Sequence, residues 1–297
     1  MAEPPALPRL IVLAPSHFCE KARCVVRRMR LRRSAQTACM CLIALHFCAR
    51  SWALERYGVA HAVEPHAPGF HVPAVKAAGK EASTSTPLLV VPGEATTLPD
   101  SGAILRWVDA RAPANMPRLF PRGAEAEVEA LCSRFDARIG VASRSLVYAH
   151  ALDTPEIAAA LAPPSVPSAQ RFAWRYLGVS YVIRAAMRSG MSVSLENGAK
   201  ALDLLRSEFA AVDAILADGR RYLAGDGAGF TAADLTFAAL AAPALGITYG
   251  EHPPWQGLEP LPPPLRAAAE ELRATSAGRH ALRMWDEERS RVLKADS

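Results

Sequence analysis

The chain has 297 residues, 51% of them apolar, and a formal net charge of +5, which gives length for one large or two ordinary domains with a substantial core. Six arginines and no carboxylate fall within residues 24–51, and taking those six from +5 leaves −1 for the remainder; a basic footprint confined to one short segment argues against a nucleic-acid partner for the folded body. Four of the six cysteines, Cys24, Cys39, Cys41 and Cys48, lie in that segment too, and Cys19 with Cys132 are too few for a disulfide framework, so a reducing, cytoplasmic compartment is expected.

Residues Met1 to Pro8 are proline-rich and lack the basic-then-apolar order of a secretory signal. The longest apolar run, Ala38 to Ala49, is broken by His46 and falls short of the roughly 18 residues a spanning helix requires. A soluble chain is expected on both counts.

Leu10 to Ala14 reads as a buried strand, and Ser16 onward as the start of an amphipathic helix. That helix pattern stops at Arg23 and resumes at Trp52. With Arg23 joined to Trp52, the residues Phe18, Cys19, Ala22, Ala53, Leu54 and Tyr57 share one face and Gly58 stands where a helix stop belongs. Residues 24–51 are therefore an insert in the first helix. Ala60 to Glu64 and Leu88 to Val91 read as further strands separated by a loose connection. A hairpin turn at Pro92-Gly93 leads into a short fourth strand, and Ser101 to Ala110 forms a helix after Pro99-Asp100.

Proline-rich residues 112–122 read as a linker between a domain at 1–111 and another at 123–297. In the second half the strand signals stop, and apolar residues recur at helical spacing through Val128–Tyr148, Phe172–Met187, Ala199–Leu216, Thr231–Leu245 and Leu265–Leu293. Phe230-Thr231-Ala232-Ala233-Asp234-Leu235 carries a capping box at Thr231 and Asp234, with Phe230 placed to pack on Leu235, and is read as a folding device.

Four segments together resemble the cytosolic glutathione transferase family: Ser16-His17-Phe18-Cys19 its active-site turn, Ser85-Thr86-Pro87-Leu88 the strand with a cis proline, Pro99-Asp100-Ser101 its acidic-Ser pair, and Phe230 to Leu235 its capping box. The resemblance covers nearly all of the chain except the tail and the insert. It implies an α/β plus all-α fold, a thioredoxin-like N-terminal domain followed by a helical-bundle C-terminal domain, and a homodimer. The reaction implied is conjugation of glutathione, a co-substrate, to a small apolar electrophile.

A free thiol has a pKa near 8.5, so the site must stabilise a thiolate. Ser16 at a helix start is suited to donate its hydroxyl to that sulfur, or it serves only as the helix cap. The resemblance further implies that Thr86 and Pro87 hold the cysteinyl unit, Asp100 the γ-glutamyl ammonium and Ser101 its carboxylate. Lys76 or Lys80 is placed to neutralise the glycyl carboxylate, or is simply a solvated loop lysine. Cys19 occupies the second position of what would be a Cys-x-x-Cys pair, where cysteine is either a small buried residue or, if accessible, the nucleophile of a glutathione-dependent thiol-disulfide reductase. A third reading is a glutathione-transferase-like binding module without catalysis. Tyr148, Trp174 and Tyr181 could face the second substrate or belong to the core.

No metal site is expected, since Cys39-x-Cys41 lacks a second ligand pair. The insert could touch an anionic membrane through its arginines, or be a retained intervening sequence with no structural role.

Overall fold

The computed structural model of the chain describes residues 6–14, 16, 52–79, 84–94, 97–247 and 261–289. Its sheet has three strands, β1 (Arg9–Leu13), β2 (Ala62–His66) and β3 (Leu88–Val90), in the order β2-β1-β3. β1 pairs parallel with β2 and antiparallel with β3. Both faces of β1 are covered, which is why its sequence is a continuous apolar run rather than an alternation. Leu10 and Val12 enter the main core with Trp52, Leu54, Ile104 and Leu105, whereas Ile11 points to the other face with Val75 and Leu88.

The second strand lies two residues beyond the expected Ala60–Glu64. His61 is buried with Nδ1 against the Val59 carbonyl at 2.8 Å, so the chain is still turning there. Pro65, which lacks an N–H, is tolerated because β2 is an edge strand. The loose connection after β2 contains a helix, α2 (His71–Ala77). Pro73 falls in its first turn, where an amide proton is dispensable, and Val75 anchors it to the sheet. Lys76 therefore sits in the last turn of a helix, not in a loop. In place of a fourth strand the described residues show a single bridge, Leu89 with Leu98, closed by hydrogen bonds of 2.9 and 3.0 Å.

Of the expected first helix, the part from Trp52 onward lies among the described residues. Residues 17–51, including Phe18, Cys19, Ala22 and the insert, lie outside the described residues. α1 (Trp52–Arg56) is docked on the core, with Trp52, Ala53 and Leu54 fully buried and Gly58 at φ +64°, the left-handed stop. α3 (Ser101–Asp109) completes this half of the molecule.

From Glu125 the described elements are helical. α4 (Glu125–Phe135) passes through a π-helical turn, Asp136–Gly140, into α5 (Val141–Ala151). α6 (Pro155–Ala160), α7 (Ser168–Tyr176), α8 (Val179–Gly190), α9 (Leu195–Leu216), α10 (Ala232–Ala241), α11 (Pro263–Arg273) and α12 (Ser276–Arg283) follow, the last running on into a π turn, Met284–Arg289. Two expected helices are split. Gly178 at φ +71° separates α7 from α8, and Thr275 caps a fresh start at α12 by accepting the Gly278 N–H.

α10 is buried on every side. Its capping box is complete: the Thr231 hydroxyl accepts the Ala233 N–H at 3.3 Å, and Asp234 accepts the Thr231 N–H at 3.0 Å. Asp234 also accepts the Leu223 N–H at 2.9 Å and lies 3.1 Å from His280, so one carboxylate fixes a loop, a helix start and α12. Phe230 stacks on Trp52 at 5.8 Å between ring centroids, joining α1 to the helical half.

Two further contacts tie α1 down. Arg56 donates to Glu288 at 3.1 Å, both nearly buried. The Tyr57 hydroxyl donates to the Pro117 carbonyl at 2.7 Å and lies 3.3 Å from Asp109, which itself accepts the Leu119 N–H at 2.6 Å. The proline-rich segment 112–122 is thus pinned at its middle, with Leu119 fully buried.

Candidate functional site

Sheet topology brings the sequence-predicted site segments to one end of the sheet. β1 runs toward that end and leaves it through Ala14 and Ser16; the Ser16 N–H donates to the Leu13 carbonyl at 3.0 Å, a turn that holds the half-buried Ser16 close to the strand. β3 is antiparallel to β1 and enters from the same end, immediately after Thr86 and Pro87. The Leu89–Leu98 bridge lays residues 98–101 antiparallel to β3, so Pro99, Asp100 and Ser101 also run toward it. With neighbouring strands about 5 Å apart, the three segments are adjacent.

The Thr86–Pro87 bond is cis and Pro87 is buried. Asp100 is the N-cap of α3, accepting the Ala103 N–H on Oδ1 at 2.8 Å. Gly102 makes room for this: a Cβ there would stand 3.2 Å from that oxygen. Asp100 is exposed and Ser101 is buried at the first helical position, where unpaired N–H groups and the helix dipole favour an anion. A carboxylate beside a helix N-terminus is matched to a zwitterionic amino-acid group, one charge for each partner.

Cys19 and Lys80 lie outside the described residues. Lys76 is exposed in the last turn of α2. Tyr148 and Trp174 are buried in the core, and burial pushes the Tyr148 hydroxyl up to about 12. Tyr181 is 74% exposed.

Two residues that the sequence did not mark join the halves at this end. β2 also finishes here, at His66, whose carbonyl accepts the Ala14 N–H at 3.0 Å. Gln170 of α7 reaches across: its Oε1 accepts the Ala67 N–H at 3.2 Å and its Nε2 donates to His66 Nδ1 at 2.8 Å. His66 Nε2 faces Glu64 at 3.0 Å, so this network assigns the proton to Nε2. Nothing in the sequence links positions 104 residues apart. His71, at the start of α2, is held below its ordinary pKa by burial.

Among solved structures the chain is similar to two glutathione transferases of Phanerochaete chrysosporium. One is 18% identical with a TM-score of 0.54, covering 83% of this chain and 88% of the other. The second is 15% identical with a TM-score of 0.53, covering 98% and 96%. A glutathione S-transferase of Ceriporiopsis subvermispora, solved in complex with glutathione, is 16% identical with a TM-score of 0.52 and covers 98% of both chains. The chain has the glutathione transferase fold. Neither a family model nor a curated protein matches the sequence, so the likeness is one of architecture: the small mixed sheet with its helices, then the helical bundle.

Within that fold, no group of three or more His, Cys, Asp or Glu among the described residues could hold a metal ion. No helix of the described residues is long and apolar enough to cross a membrane.

Proposed function

We propose that the chain is a glutathione transferase, with the glutathione site at the sheet end where Ser16, Thr86-Pro87 and Asp100-Ser101 converge. The 1–111 segment binds the tripeptide, and the 123–297 segment supplies the apolar wall for the electrophile. The convergence of three segments distant in sequence is the observation that carries this reading.

In it, Thr86 pairs through its backbone with the cysteinyl unit. Asp100 receives the γ-glutamyl ammonium and Ser101, at the start of α3, its carboxylate. The sulfur is thereby delivered to Ser16, whose hydroxyl donates to the thiolate. A hydrogen bond to a charged group contributes about 1.5–3 kcal/mol, enough to lower the thiol pKa by about 1–2 units and raise the thiolate fraction near neutral pH. The thiolate then attacks a small apolar electrophile, and its leaving group departs with the bonding pair.

Retention on immobilised glutathione and turnover of a reactive aryl halide test the proposal. Both are expected of the full chain, and Ser16→Ala loses kcat far more than glutathione affinity. Reduction of a glutathione mixed disulfide that survives Ser16→Ala and vanishes in Cys19→Ser would instead identify a reductase. A folded chain that binds no glutathione would leave only a binding module of the same architecture.

A further inference from the structure

The hairpin of α7 and α8 carries an exposed apolar tip. Phe172, Tyr176, Leu177, Tyr181 and Val182 are 57–74% exposed, in a molecule that buries most of its other large apolar side chains. Phe172 and Tyr176 are one turn apart with ring centroids at 5.2 Å, Leu177 follows, and beyond Gly178 at φ +71° Tyr181 and Val182 lie in the first turn of α8. The buried side of the hairpin is accounted for, since Trp174 is in the core, Gln170 bonds Ala67, and Ile183 packs close to Gly69. The other side is open to solvent.

The charges around this tip have one sign. Between Ile157 and Leu195 the sequence holds Arg171, Arg175, Arg184 and Arg188 and no Asp or Glu. Arg188 is paired with Asp153. Arg184 is half-buried and donates to the Leu152 and Ser180 carbonyls at 3.1 and 3.3 Å, the former at the C-terminus of α5. Arg175 lies over the Tyr176 ring at 5.6 Å, and neither it nor Arg171 has a carboxylate partner among the described residues.

We infer that the α7–α8 tip is a docking surface for an anionic lipid bilayer, the aromatic and aliphatic side chains entering the headgroup region while the exposed Arg175 meets lipid phosphate and carboxylate and the other three arginines keep the local field positive. A second copy of the chain is a poor occupant. A two-fold interface sets the same patch against itself, and this one would oppose arginines with no carboxylate to pair them. An exposed inter-helix turn is also unlike the grooves that receive partner helices. Tyrosine and phenylalanine above a basic collar are the composition of interfacial membrane contacts, which require no spanning helix. The base of the hairpin lies at the sheet end, where Gln170 bonds Ala67 and His66, yet vesicle flotation and glutathione turnover are separate readouts, so the two readings fail separately.

Flotation of the full chain with vesicles tests it. Vesicles of equal parts phosphatidylserine and phosphatidylcholine carry the chain upward, pure phosphatidylcholine vesicles do not, and added salt weakens the association. Arg175→Gln lowers the partition constant about fivefold, the effect of one surface cation. Tyr181→Asp lowers it at least as much, with residues 24–51 still present. Leu177→Trp provides a second readout, a blue shift of indole emission on the anionic vesicles alone. Loss of binding to neither variant, or no blue shift, overturns the assignment to this tip. So does concentration-dependent dimerisation abolished by Tyr181→Asp, which gives the patch to a second copy. Binding that depends on Arg175 but not on Tyr181, and that soluble polyaspartate competes away, assigns it to an acidic protein instead.

Discussion

Replacing Trp52 by Ala is the sharpest perturbation of the architecture, because α1 joins the sheet half to the helical half through this ring. Trp52 is fully buried and its ring contacts Phe230 at 5.8 Å and Trp285 at 5.2 Å between centroids. Truncating such a side chain costs about 3–5 kcal/mol through lost transfer energy and the cavity left behind, and each aromatic pair adds about 0.5–1.5 kcal/mol. Trp52→Ala is therefore expected to lower stability by about 4 kcal/mol or more. Trp52→Phe differs informatively. It keeps an aromatic ring in place and removes an indole N–H that is buried with no acceptor among the described residues; relief of that unpartnered donor, about 1 kcal/mol or more, offsets part of the smaller cavity. A net loss near 1 kcal/mol is expected. Urea unfolding of the three proteins, with unchanged m values, measures both differences. A loss below about 1 kcal/mol for Trp52→Ala, or equal losses for the two variants, would refute the docking of α1 as the clamp between the halves.

Other outcomes follow from the same geometry. Burial holds His61 neutral with a pKa lowered to about 4. Because the folded value lies below the unfolded one, its contribution is present above pH 6.5 and is lost as pH falls toward 4, about 3 kcal/mol in all; His61→Leu flattens that limb of stability against pH. Burial and Asp109 push Tyr57 up to about 12, so stability falls as pH rises from 10 through 12, and Tyr57→Phe reduces the slope there while costing about 1 kcal/mol at neutral pH. Asp100→Asn keeps a side chain able to cap α3 but lacks the charge for an ammonium: thermal stability is retained while glutathione affinity drops about tenfold, whereas Asp100→Ala loses both. Gln170→Leu removes the bond to His66 and the acceptor for Ala67, and faster amide exchange through residues 67–70 reports it.

Much of this structure is written in local sequence. The apolar run of β1, the Gly58 stop and the Thr231-Asp234 box each follow from side-chain types at short spacing, and each stands in the structure. α2 escaped because it is a short helix with Pro73 inside it, a pattern that local periodicity reads as loop. The splits at Gly178 and Thr275 sit within apolar periodicity that continues across them, so spacing alone joins what a left-handed glycine or a fresh cap divides. Phe230 shows the limit from the other side: it is adjacent to the capping box, yet its stacking partner is Trp52, and only the tertiary fold chooses that partner. The site was legible as motifs, Ser16, Thr86-Pro87 and Asp100-Ser101, but their adjacency is a property of strand order. The Gln170–His66 bridge had no signal at all, being a contact between two ordinary polar residues in different halves of the molecule.

The central claim is that Ser16 holds bound glutathione as its thiolate. Ultraviolet difference absorbance of the bound thiolate, titrated against pH, reads this directly. The full chain is expected to ionise bound glutathione about 1–2 units below the free thiol, and Ser16→Ala to return the midpoint toward about 8.5. An identical midpoint in both proteins would contradict the account.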